Sequence, residues 1–136
     1  MPALNYKPEI AAAFQAGTKV HTIRFSRADG KNPRPGQTLY HYTGQRTKRC
    51  RKLGETTCRQ VRPIQMWIPR SGSLVTIEID GVRLDARLFD AFARNDGFAN
   101  MADLCEWFRR SYADRQEPRG LWPFDGLLIQ WGETEY

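Results

Sequence analysis

Long apolar runs are missing from this chain. The longest, around Leu127 to Trp131, falls far short of the roughly 20 apolar residues a membrane-spanning helix requires, so no transmembrane helix and no membrane partner is expected. Cysteine is scarce: Cys50, Cys58 and Cys105 are an odd number whose spacing matches no disulfide framework. Reduced thiols are expected, with Cys105 serving as a small hydrophobe on a helical stripe. Together with the two histidines, His21 and His41, these cysteines fit no zinc-ligand spacing, and neither a metal nor another cofactor is expected. The opening residues, MPALNYKPEIAAAF, lack the basic, then apolar, then small-residue order of a secretory signal, which points to a cytoplasmic protein. No internal repeat, low-complexity segment or linker interrupts the 136 residues, a length suited to one hydrophobic core. Residues 1–136 are therefore read as a single domain.

Acidic charge is also short in one place. From Arg46 to Arg62 there are seven basic residues, Arg46, Lys48, Arg49, Arg51, Lys52, Arg59 and Arg62, against Glu55 alone, and this surplus equals the net charge of +6. The excess is thus a local patch and not a general cationic surface, the pattern of a phosphate-contacting site. Arginine dominates it, and its fork of donors suits bidentate contact with phosphate. A solvated hairpin, or a charged device that blunts a sheet edge, would give the same run.

Periodicity supplies the elements. An extended piece ends at Tyr6, and a helix follows with Pro8 in its first turn, Ile10 and Phe14 on one face and Gly17 as its stop. Lys19 to Phe25, Thr38 to Thr43, Thr56 to Ile68 and Leu74 to Ile79 read as strands, and Asp29 to Gly36 as a loop. Gly44 and Gly54 are expected to turn the basic hairpin, and Asp80-Gly81 a tight one. Leu84, Leu88, Phe89 and Phe92 then change to helical spacing behind Asp85, and Asn100 caps a second helix carrying Met101, Leu104, Cys105, Phe108 and Tyr112. A loop with Pro118, Gly120 and Pro123 leads to a last strand from Gly126 to Trp131. This order predicts an α+β domain built on a curled mixed sheet or small open barrel with flanking helices.

The run Gly17-Thr18-Lys19-Val20-His21-Thr22-Ile23-Arg24 resembles the GxKxxTxR signature that opens the ASCH domain, a relative of the PUA RNA-binding fold. Pro35-Gly36 before a strand, Asp96-Gly97-Phe98 before the last helix, Trp107-Phe108 within it and the closing Leu128-Ile129-Gln130-Trp131 extend the resemblance over nearly the whole chain. It implies a barrel-like core with a cleft beside the signature strand, and an association with RNA. It also implies, for one bacterial branch, hydrolysis of acetylated cytidine by the signature threonine assisted by lysine and glutamate, here Thr22 and Lys19; other members are described as nucleases. At the position aligned with that glutamate this chain has Gln60, which cannot act as a base, and nothing in the spacing selects Glu55 or Glu78 in its place.

The residues can be weighed on their own chemistry. A threonine hydroxyl is a poor nucleophile until a base takes its proton, and a lysine can be that base only when burial or nearby cations depress its pKa. Lys19 and Thr22 are three apart, so on a regular strand they face opposite ways; they cooperate only if the segment is partly a turn after Gly17. Lys19 and Arg24 are expected as phosphate or base-edge donors in the cleft, with Arg46, Lys48, Arg49, Arg51 and Lys52 on phosphates. Tyr40, Tyr42, Trp67 and Trp122 are candidates to stack on bases, Tyr42 above all. Trp107, Phe108, Phe92 and Trp131 are expected as packing between the late helices and the sheet. The leading expectation is a cofactor-free module that binds RNA or a nucleotide, DNA not being excluded by the sequence. A hydrolase acting on nucleosides or RNA, and a module that binds an acidic protein, stand beside it.

Overall fold

The computed structural model describes residues 2–113 and 121–136, Leu121 and Trp122 by their backbone only. Strand β1 (Ala3–Tyr6) leads into helix α1 (Pro8–Gln15), whose first turn holds Pro8 and Glu9, residues suited to a helix start. Strands β2 (His21–Arg24) and β3 (Thr38–Thr43) follow. Next come β4 (Arg51–Thr57) and β5 (Gln60–Pro69), then the hairpin of β6 (Thr76–Ile79) and β7 (Val82–Arg83) across Asp80-Gly81. Asp85 accepts from the Arg87 main-chain N–H at 3.0 Å and caps a short 3-10 turn ahead of α2 (Phe89–Asn95). Asn100 caps α3 (Met101–Ser111) by accepting from Asp103 N–H at 2.9 Å, and β8 (Leu121–Gln130) is the last strand. Pro118 and Gly120 of the expected loop lie outside the described residues. Among the described residues no helix is long and apolar enough to cross a membrane.

The chain is α+β, and its strands divide between two open sheets. One has the order β1-β3-β4, with β1 parallel to β3, and the other β2-β8-β5-β6-β7, antiparallel throughout. They meet at a two-residue corner between β4 and β5. There Cys58 N–H donates to Gln37 and Arg59 N–H to Gln130, both at 2.8 Å, so adjacent residues are bonded to the two different sheets. The expected single strand from Thr56 to Ile68 is broken at this corner. Gly54, expected in a turn, lies within β4, where a side chain would press on the Phe14 ring, 3.4 Å from the Cβ position. The basic turn itself spans only residues 44–50.

Two apolar clusters hold the layers together. Ile64, Met66, Ile77, Phe124 and Leu128 of the larger sheet pack on Phe92, Leu104, Cys105 and Phe108 of α2 and α3. Leu4, Tyr6, Ile10, Leu39 and Ile129 form the second, beneath α1. Burying each such side chain is worth about 1.5–3 kcal/mol. Consecutive strand residues point to opposite faces, so Leu128 serves one cluster and Ile129 the other, and β8 is buried on both sides.

Candidate functional site

Gly17, at φ +81°, reverses the chain after α1. The main-chain N–H groups of Thr18 and Lys19 both return to the Ala13 carbonyl, at 3.2 and 3.3 Å, so Lys19 sits in a turn and the regular strand begins only at His21. This removes the conflict of spacing: Lys19 and Thr22 line the same cavity, of about 190 Å³, and Arg24 lines it with them. The Arg24 guanidinium lies 5.3 Å from the Tyr6 ring centroid, donates through Nε to Thr22 Oγ1 at 3.2 Å and through Nη2 to the Asn5 carbonyl at 2.8 Å. It has no carboxylate partner among the described residues.

Behind Lys19 runs a buried polar chain. Its Nζ donates to the Asp96 main-chain carbonyl at 2.5 Å and lies 3.8 Å from the Asp96 carboxylate. His21 donates through Nδ1 to that carboxylate at 2.8 Å and accepts at Nε2 from the Tyr136 hydroxyl at 2.6 Å, which in turn accepts from Asn95 Nδ2 at 2.9 Å. Burial pushes His21 below its ordinary pKa, and this bonding pattern fits a neutral ring. Burial also lowers Lys19 from 10.5 to about 8, against the Asp96 charge and with help from Arg24. Gly97, at φ +104°, completes the fit: a Cβ there would lie 3.3 Å from Lys19 Cδ.

Asp96 is the carboxylate that lines the cavity among the described residues. Glu55 is exposed and paired with Lys52, Glu78 lies opposite Arg83 on β6, and Gln60 is exposed at the start of β5; none of these three lines the cavity. Its aromatic walls likewise differ from expectation, since Tyr6, Phe98, Trp107, Phe108 and Tyr112 supply them. Tyr40, Tyr42 and Trp67 do not line it, and the Trp122 side chain lies outside the described residues. Trp107 packs against the helix–sheet cluster as expected and also forms part of the cavity wall; its buried indole N–H has no partner among the described residues, and Lys7 Nζ lies 5.5 Å from its ring. Trp131 packs on Phe14 and His41 and donates to the Lys19 carbonyl at 3.2 Å, away from the late helices. Phe92 and Phe108 lie in the core as expected.

The basic turn stands beside the cavity without lining it. Arg46, Lys48 and Arg49 are exposed in the turn, and Arg51 and Lys52 open β4 opposite Thr43 and Tyr42. Tyr42 is half-buried, and Lys52 Nζ lies 5.3 Å from the Tyr40 ring. One hydrogen bond ties the turn to the site: Gln45 N–H donates to Asn5 Oδ1 at 2.9 Å, and Asn5 lines the cavity. Arg59 and Arg62, counted in the basic segment, are instead paired with Glu133 at 3.1 Å and Asp80 at 2.7 Å.

His41 accepts from the Tyr6 hydroxyl at 2.8 Å and donates to Thr56 Oγ1 at 2.7 Å, far from any shared task with His21. Among the described residues no three His, Cys, Asp or Glu side chains gather as a metal site.

No family model matches the chain, and neither the curated proteins nor the solved structures contain a similar one.

Proposed function

We propose that the chain is an ASCH-like, PUA-related domain of the cytoplasm, its two sheets forming a small open barrel, and that it binds RNA by taking one nucleotide into the cavity at Lys19, Thr22 and Arg24. The observation that carries this reading is the convergence of those three side chains, two of them cationic, with Tyr6 and Trp107 in one enclosure, beside an arginine-rich turn. Aromatic walls accept a base by stacking, worth about 1–3 kcal/mol per base. Lys19 and Arg24 donate to phosphate or base edge, and Arg46, Lys48, Arg49 and Arg51 meet further phosphates. Anisotropy titration of a labelled single-stranded RNA at several salt concentrations tests it. Affinity is expected to fall steeply with salt, and about tenfold in Arg24→Ala and in the fourfold alanine variant of the turn. Unchanged affinity in both variants overturns the reading.

A second reading has its own support. Lys19, whose pKa burial lowers to about 8, and the Thr22 hydroxyl line one cavity, so a lysine suited to take a proton and a hydroxyl nucleophile share one site. On this reading the domain hydrolyses an acylated nucleoside such as N4-acetylcytidine, or cleaves RNA. Turnover of either, lost in both Lys19→Ala and Thr22→Ala, is the expected result; no turnover of either overturns it.

A further inference from the structure

We propose that the β2–β3 connection is a second phosphate-contacting arm, so that single-stranded RNA crosses the molecule along β1, from this arm over the cavity to the basic turn. The inference rests on the reading of the cavity as an RNA site and adds to it a path and a direction of extension.

Residues 26–37 carry Arg27, Lys31 and Arg34 against Asp29. None of the three cations has a carboxylate partner among the described residues, whereas Arg59, Arg62 and Arg109 elsewhere on the surface are ion-paired. The Asp29 carboxylate is occupied locally, accepting from Lys31 main-chain N–H at 2.9 Å. The connection is also pre-shaped. Asn32 accepts from Arg27 N–H at 2.7 Å and donates to Ser26 Oγ at 3.0 Å, and Gln37 accepts from Arg34 N–H at 2.9 Å. Gly36 N–H donates to the Cys58 carbonyl at 2.8 Å, fixing the arm to the corner between the sheets. Ordering that is already present in the free protein need not be supplied by the ligand. The arm borders a surface hollow of about 260 Å³ lined by Arg27, Lys31 and Arg34 together with Asp29, so three cations face one carboxylate there.

Strand β1 gives the track its line. Arg27 Nη2 donates to the Ala3 carbonyl at 3.1 Å and Arg24 Nη2 to the Asn5 carbonyl at 2.8 Å. These are alternate residues of one strand, about 7 Å apart and on the same edge, a step similar to that between successive phosphates of an extended strand. The Asn5 side chain then holds Gln45, which leads directly into Arg46. Arm, cavity mouth and basic turn therefore follow one another along a strand, ALNY, that has no charge of its own. A mononucleotide would reach the cavity and Arg24; several linked nucleotides are needed to touch both flanks.

The test compares a labelled, unstructured RNA of about a dozen nucleotides, within the site sizes of small single-strand-binding domains, with a mononucleotide. Lys31→Ala/Arg34→Ala is the principal variant, because neither side chain makes a hydrogen bond or ion pair among the described residues, and adding Arg27→Ala extends it. Thermal unfolding checks that each is intact. For the long RNA, affinity is expected to fall about tenfold at low salt, and the plot of log affinity against log salt to become shallower by about 0.7 for each phosphate that is no longer neutralised. Mononucleotide affinity is expected to stay unchanged. Wild-type affinity and salt slope in both arm variants, with the basic-turn variant impaired, overturn the arm and leave the cavity reading standing. Equal weakening on long RNA and mononucleotide also overturns it. Failure of the wild-type protein to bind either probe removes the cavity reading and the arm together.

Discussion

Lys19 has the least comfortable side chain in the cavity, an ammonium group 3% exposed beside a second cation. Its burial is a cost that hydrogen bonding to Asp96 only partly offsets. With the group lowered from 10.5 to about 8, the cost is present in full below pH 8, where folded and unfolded chains both hold the proton. Between pH 8 and 10 the unfolded chain binds the proton more readily than the folded one, so stability rises with pH. Above pH 10 Tyr6 and Tyr136, whose burial holds their hydroxyls protonated, act in the opposite sense. Lys19→Met is therefore expected to abolish this rise with pH and to weaken the RNA binding proposed above. Denaturant melts at pH 7 and 9.5 check this: the rise seen in the wild type should be missing in the variant, and a variant less stable at pH 7 would show that the Asp96 interactions outweigh burial.

At the scale of elements, the glycines at 17 and 97 set the site. One turns the chain so that Lys19 and Thr22 share a wall, and the other lets the α2–α3 connection pass against the Lys19 stem. Gly97→Ala places a side chain at positive φ and within 3.4 Å of Lys19, Ala13 and Ile10 carbons; a destabilisation of about 1–3 kcal/mol is expected, read as a lower denaturant midpoint. Most elements were legible because their signals are local: Pro8 and Asn100 at helix starts, Asp80-Gly81 at a hairpin, alternation in Thr38–Thr43. The β4–β5 corner was not, since no glycine or proline marks a stop at Cys58 and Arg59, and only their hydrogen bonds to Gln37 and Gln130 separate the two strands. Gly54 was misread for a related reason, because the Phe14 ring beside it comes from a helix distant in sequence.

Taken whole, the RNA path proposed above joins cations that lack carboxylate partners among the described residues, Arg24, Arg27, Lys31 and Arg34, to the basic turn, while Arg59 and Arg62 are tied off by carboxylates. The sequence showed the first half of that path, the run from Arg46 to Lys52, as a density of charge. It hid the second half, because Arg27, Lys31 and Arg34 are spread among glycines, prolines and an aspartate, and only the return of Arg27 to β1 brings them into alignment. It also hid Asp96, whose role depends on an interaction spanning 77 positions with Lys19, although the Asp96-Gly97-Phe98 run was visible as a feature. The cavity wall has an optical side as well. Indole emission responds to the polarity and charge around the ring. Trp107 is half-buried in the cavity wall, whereas Trp131 packs on Phe14 and His41 and does not line the cavity. Occupation of the cavity by any ligand with an acceptor should shift or quench the Trp107 contribution, so the protein carries its own gauge of occupancy, one that Trp107→Phe would switch off.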